Sequence, residues 1–213
     1  MPEEGRIDVL VLGIGNVLWA DEGFGVRAVE RMHQDYRFPD SVVLMDGGTQ
    51  GLYLLPYIKA ARRMIVFDAI DYGLPPATLE VIRGPEIPAY VGIHKISLHQ
   101  SSFQEVLALA ALGGASPAES VLIGVQPEDL RDFGGSLRDA VKARIPEAVA
   151  VALGVLAEWG VPFEKRACPP SEGLHAPGID LGAYENGRPR EDAACRIGDA
   201  RFLNMQLEGG AQR

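Results

Sequence analysis

The sequence predicts a three-layer α/β fold, with helices packed on both faces of a sheet. Three observations predict it. Ile7 to Leu12 is a nearly continuous apolar run that ends in Gly13-Ile14-Gly15-Asn16, the pattern of a central parallel strand covered on both sides. Strand-like and helix-like segments then alternate, as they do when helices cross over a parallel sheet. Acidic residues follow two of the strands, Asp21-Glu22 after the first and Asp68 at the end of Arg62 to Phe67. Ligands in such folds gather beyond the carboxyl ends of parallel strands.

Each element has its own reason. Gly13 and Gly15 allow a tight turn after the first strand. A helix is expected to start at Asp21 or Glu22, where carboxylates favour the exposed N–H groups, and to carry Val26, Val29 and Met32 inward. Ser41 to Met45 reads as a second strand, Asp46-Gly47-Gly48-Thr49 as a turn and Leu52 to Ala60 as a helix. Arg62 to Phe67 is the third strand, and Thr78 to Ile82 a shorter one. Gly84, Pro85, Pro88 and Gly92 make Arg83 to Leu98 mainly loop. Ser101 to Leu112 has helical spacing, with Phe103, Val106, Leu107 and Ala110 on one side, and Gly113-Gly114 ends it. Ser120 to Val125 is the last strand. Leu137 to Trp159 is helical, with Pro146 starting, kinking or dividing it. The expected boundaries are an α/β domain over residues 1–160 and a flexible Pro/Gly-rich C-terminal tail over 161–213, in which Asp199 to Leu207 could form a short helix.

Composition narrows the function. The 213 residues carry 29 Asp and Glu against 20 Lys and Arg, a net charge of −9. Such a surface is a poor match to phosphate backbones, so nucleic acid is not an expected partner. Cys168 and Cys195 are the two cysteines, too few for a disulfide scaffold or a Cys-rich metal site. The first residues lack the basic and apolar regions of a signal peptide, and no apolar stretch is long enough to cross a bilayer, so the expected location is the cytoplasm.

Several chemistries are excluded by pattern. Gly13-Ile14-Gly15-Asn16 lacks the further glycine of a dinucleotide fingerprint, and the acids after it would repel a pyrophosphate. A Gly-x-Ser-x-Gly elbow, a His-Glu-x-x-His helix and an Asp-Thr/Ser-Gly pair are all absent. Glu22 and Asp68 are hard oxygen donors, and a histidine would complete a mixed set able to hold zinc, nickel or another first-row ion. His94 and His99 compete for that place, and spacing does not rank them. Asp21 is equally suited to capping the helix, and Asp71 to capping a loop turn. Gly47-Gly48-Thr49 either lines a cleft or makes a strand-to-helix turn.

Taken together, these segments resemble the nickel–iron hydrogenase maturation endopeptidases. The likeness runs from Ile7 to about Gly160. It is carried by Gly13-Ile14-Gly15-Asn16-Val17-Leu18 with Asp21-Glu22-Gly23 and Gly25, then Asp46-Gly47-Gly48-Thr49, Asp68-Ala69, Lys95-Ile96-Ser97-Leu98-His99-Gln100 and Gly124-Val125-Gln126-Pro127, in family order and at family-like spacing. Leu98 departs from the family, where proline is frequent.

The resemblance implies a three-layer sandwich on a twisted, mostly parallel five-stranded sheet. It implies Glu22, Asp68 and His99 as the metal-contacting set, decides for His99 over His94, and gives Glu22 and Asp68 the catalytic work in what is often classed as an aspartic-type peptidase. It implies removal of a C-terminal extension from the nickel-loaded hydrogenase large-subunit precursor, with nickel presented by that substrate. A monomer before substrate docking is the expected state. Two other readings compete. One is a different metallopeptidase on the same fold, including a relative of the spore germination proteases. The other is a nickel-binding chaperone without peptidase activity.

Overall fold

The computed structural model describes residues 7–84, 87, 98–175 and 178–188, with residues 98–102 described by their backbone alone. Among them a five-stranded sheet forms the middle layer. In chain order the strands are β1 (Ile7–Ile14), β3 (Val42–Gly48), β4 (Ala61–Ala69), β5 (Leu79–Arg83) and β6 (Glu119–Val125). Their spatial order is β3-β1-β4-β6-β5. β1 pairs parallel with β3 and β4, and β4 parallel with β6; β5 alone of these runs antiparallel, at the edge beside β6. The mostly parallel α/β architecture expected from the sequence is therefore present.

The apolar runs explain the layers. Side chains alternate across a strand. Val9, Val11, Ile65, Phe67, Val121 and Ile123 pack on one face against helices α1 (Phe24–Asp35) and α5 (Ile145–Glu158). Leu10, Leu12, Met64, Val66 and Leu122 pack on the other against α2 (Leu55–Ala60) and α3 (Leu98–Leu112). The stretches buried on both faces have few polar positions to spare, which is why residues 9–14 of β1 and 64–67 of β4 read as continuous hydrophobic sequence.

Boundaries shift for local reasons. The acids Asp21 and Glu22 sit in a 3-10 turn, Ala20–Gly23, and the α-helix proper begins at Phe24. Asp46 and Gly47 are strand: β3 continues past Met45 because Gly13 pairs with Asp46 and Ile14 with Gly48 across an irregularity in register. The long helix expected over Leu137 to Trp159 is two, α4 (Asp139–Lys142) and α5. Pro146 stands in the first turn of α5, where its missing N–H costs nothing.

Beyond Gly160 the chain turns back along α1. A two-residue strand, β7 (Glu164–Lys165), pairs antiparallel with β2 (Tyr36–Arg37), and the last described helix is α6 (Leu181–Gly187). Its N-cap Asp180 accepts a hydrogen bond from the Ala183 N–H at 2.9 Å. The pairing of β2 with β7 had no signal in the sequence. His94, Cys195 and the expected helix over Asp199 to Leu207 lie outside the described residues. No described helix is long and apolar enough to cross a membrane.

One contact sets how α1 meets the sheet. A Cβ on Gly25 would lie 2.2 Å from the Phe67 carbonyl oxygen and 2.3 Å from that of Ile14, and one on Gly13 would lie 2.3 Å from the Gly25 carbonyl oxygen. The first turn of α1 therefore touches the ends of β1 and β4 backbone to backbone. Gly25→Ala is expected to destabilise the fold by about 3 kcal/mol or more, because the atoms in the way are main chain and have nowhere to go. Chemical denaturation would show it, and an unchanged midpoint would refute the close approach.

Candidate active site

The carboxyl ends of β1, β3, β4 and β6 gather the candidate residues. Asp68 ends β4 and is 2% exposed. Its Oδ1 accepts from the Ala69 N–H at 2.8 Å, and its Oδ2 is buried with no hydrogen-bond partner among the described residues. Glu22 is half-buried in the 3-10 turn after β1. The two carboxyls lie near enough for the charge of Glu22 to act on Asp68. Burial pushes Glu22 up from its ordinary 4.5 to about 7. It also pushes Asp68 well above the carboxylate range, against the Ala69 hydrogen bond and with help from the Glu22 charge.

Asp21 takes a separate part. It is fully buried. Its Oδ2 accepts from the Glu128 and Asp129 N–H groups at 2.8 and 2.9 Å, and its Oδ1 from the Arg138 N–H at 2.7 Å. Three donors from one loop make it a clamp that fastens residues 126–138 to the turn bearing Glu22. The bond from the Asp21 N–H to the Asp129 carbonyl, at 3.1 Å, and the Trp19 and Phe133 rings, 5.1 Å apart, extend the same seam. Helix capping, the role open to Asp21 from the sequence, gives way to this cross-loop role. Gln126 does the same for the loop after β4: its Oε1 accepts from the Tyr72 and Leu74 N–H groups, and its Nε2 donates to Asp71.

The remaining candidates divide. Gly47 and Gly48 end β3 beside β1, and the Gly15 N–H donates to the Gly48 carbonyl at 3.1 Å; Thr49 is exposed in the turn that follows. Gly48 has φ +43, so its place in that turn favours glycine. The backbone of His99 lies in the first turn of α3, while its side chain is outside the description. Among the described residues no three His, Cys, Asp or Glu side chains gather as a metal site. The described pair is thus a buried Asp68 with an orphaned oxygen beside a half-buried Glu22 whose charge raises it further, an arrangement able to exchange protons with water or to take a divalent cation in place of them.

The comparisons with known proteins bear on this geometry. The sequence profile described as hydrogenase maturation protease matches residues 26–155. The chain belongs to the hydrogenase maturation protease family. It is 56% identical over 199 residues to the hydrogenase expression/formation protein HoxM of Azotobacter vinelandii, covering 93% of this chain and 96% of that one. It is 40% identical over 154 residues to the hydrogenase 2 maturation protease of Escherichia coli, covering 72% and 93%. Among solved structures, the hydrogenase maturating endopeptidase HybD from E. coli superposes with a TM-score of 0.72 at 38% identity, covering 76% of this chain and 99% of the other. Family membership supports endopeptidase activity.

The raised carboxyls make a prediction of definite sign. A carboxyl whose folded value lies above its ordinary one holds its proton more tightly in the fold, so that stability is full at low pH and drains away as pH rises. For Glu22 the window runs from 4.5 to about 7. Thermal midpoints of the protein should therefore fall, relative to those of Glu22→Gln, as pH rises across that range. An identical slope in the variant would remove Glu22 from the set of desolvated groups.

Proposed function

We propose that the chain is the endopeptidase that removes the C-terminal extension of a nickel–iron hydrogenase large-subunit precursor after nickel has been inserted, reading the substrate's nickel to recognise it. The observation that carries the reading is the Glu22–Asp68 pair, two carboxyls in low dielectric with one oxygen left unbonded, in a chain of the maturation protease family. The catalytic work is assigned to residues 1–160, and the protein is taken to act in the cytoplasm as a monomer that meets its precursor there.

Nickel belongs to the substrate in this reading. Carboxylate oxygens and an imidazole suit a divalent first-row ion that still has open coordination positions. Glu22, Asp68 and His99 would supply them, with Gly47, Gly48 and Thr49 lining the cleft. A positive ion also offsets the cost of desolvating the two carboxylates, since it takes the place of the protons that burial favours on them. A precursor without nickel offers no such compensation, which would make the site a checkpoint. Docking through the ion fixes the scissile peptide against the pair. Hydrolysis then adds hydroxide to the carbonyl carbon and a proton to the leaving amine, and in this reading Asp68 accepts the proton from the attacking water and returns it to the amine.

The test is a set of variants assayed by mass for release of one peptide from the nickel-loaded precursor. Glu22→Ala and Asp68→Ala are expected to lose release by about a thousandfold while remaining folded. His99→Ala is expected to weaken precursor binding. Full release by folded Glu22→Ala or Asp68→Ala would sink the assignment. Tight nickel-dependent binding by the unaltered protein without any release would favour a chaperone instead.

A further inference from the structure

Outside the candidate active site, one buried charged cluster has no place in the chemistry described so far. His175 lies 20 residues beyond the stretch matched by the family profile, which stops at residue 155, and its side chain is 2% exposed. Its Nδ1 lies 2.8 Å from Asp46 Oδ2, at the carboxyl end of β3, and its Nε2 lies 3.5 Å from Glu30 Oε2, on α1. One imidazole thus joins three parts of the chain that are distant in sequence.

Both partners lead to the active site. Asp46 is two residues before Gly48, whose carbonyl accepts from the Gly15 N–H at 3.1 Å, and the Asn16 N–H in turn donates to the Glu22 carbonyl at 3.2 Å. Glu30 sits on the helix that follows Glu22. The Oδ1 of Asp46 is buried with no hydrogen-bond partner among the described residues, so the His175 contact carries much of what holds this carboxylate in place. Glu30 is held by Arg27 at 2.9 Å and by the Leu181 N–H at 3.0 Å. Arg27 also donates to the Ile179 carbonyl at 2.6 Å and lies over the Tyr184 ring. The segment around His175 is therefore fastened to α1 on both sides of the imidazole.

We propose that His175 is a positioning residue for the processing reaction: its Nδ1 contact with Asp46 holds that carboxylate and so fixes the Gly47–Thr49 turn relative to the turn bearing Glu22, while the segment beyond Gly160 that carries it lies against α1. This inference rests on the processing function proposed above. Burial alone would lower the histidine, but the hydrogen bond to Asp46 and the nearby charges of Asp46 and Glu30 outweigh it and raise it from 6.5 to about 9. The imidazolium is therefore the form that makes both contacts at neutral pH. Nearby side chains include Arg27, paired with Glu30, and His33, whose Nε2 lies 3.0 Å from the Glu172 carbonyl oxygen. Asp180 lines the same recess.

Two amide substitutions separate the contacts. The Asn side-chain nitrogen occupies the place of Nδ1, facing Asp46, whereas that of Gln occupies the place of Nε2, facing Glu30. In steady-state cleavage of nickel-loaded precursor by the full chain, His175→Gln is expected to raise KM about tenfold with kcat nearly unchanged, because the turn lost from position serves docking and not the reacting atoms. His175→Asn is expected to restore KM to within about twofold of the unaltered protein. Hydrogen exchange of the residue 46–50 amides, read without substrate, is expected to quicken in His175→Gln and to return in His175→Asn. Unchanged KM and unchanged exchange in folded His175→Gln would overturn the inference and leave the processing function standing. Equal losses in both variants would also overturn it, reducing His175 to a tether without influence on Asp46. No release by the unaltered protein would overturn the processing function and this inference with it.

Discussion

Everything at the candidate-site edge of the sheet depends on how closely the first turn of α1 approaches the backbone of β1 and β4. Gly13 and Gly25 meet where no Cβ fits, and a Cβ on Gly15 would lie 1.8 Å from the Glu22 carbonyl oxygen. That approach carries the turn of Asp21 and Glu22 down onto the end of β4, where Asp68 is buried. Two carboxyls forced into one desolvated space cannot both ionise easily. Their raised values follow from the glycines as much as from the acids themselves. The fold thereby holds two carboxyls together in a site that favours their protonated forms, sustained by cores on both faces of the sheet.

The loops around the pair are held by a few buried polar groups. Asp21 gathers three N–H groups of the 126–138 loop, Gln126 fixes the 71–74 loop, and His175 joins β3 to α1. Each is buried and bonded at long sequence separation, so losing one leaves unpaired polar atoms in the interior and costs more than the bond is worth. Such restraints suit a site that must stay open to a protein substrate while keeping its walls at fixed spacing.

Much of this was legible in the sequence, for physical reasons. β1 and β4 are buried on both faces, so their runs are unmistakable, and an acid directly after a strand must lie at the sheet's carboxyl edge. That logic reached Glu22 and Asp68. It could not separate a helix start from a 3-10 turn at Asp21, because both place the same residues near free N–H groups. It missed β3 beyond Met45 because Asp46-Gly47-Gly48 has the composition of a turn, while pairing with Gly13 and Ile14 decides the conformation. His175 gave no signal at all: it stands in Pro/Gly-rich sequence without periodicity, and its meaning comes from two acids that are 129 and 145 residues away. Only the three-dimensional structure brings them together.

In the proposed function, the Glu22–Asp68 pair acts together with a cation that the substrate brings. The most direct measurement is a mass-resolved cleavage assay run in parallel on the cognate large-subunit precursor with and without nickel, using protein stripped of metal. The account predicts release of a single C-terminal peptide from the nickel-loaded form alone. Equal release from both forms would contradict it, because the pair would then work without the charge that its burial calls for.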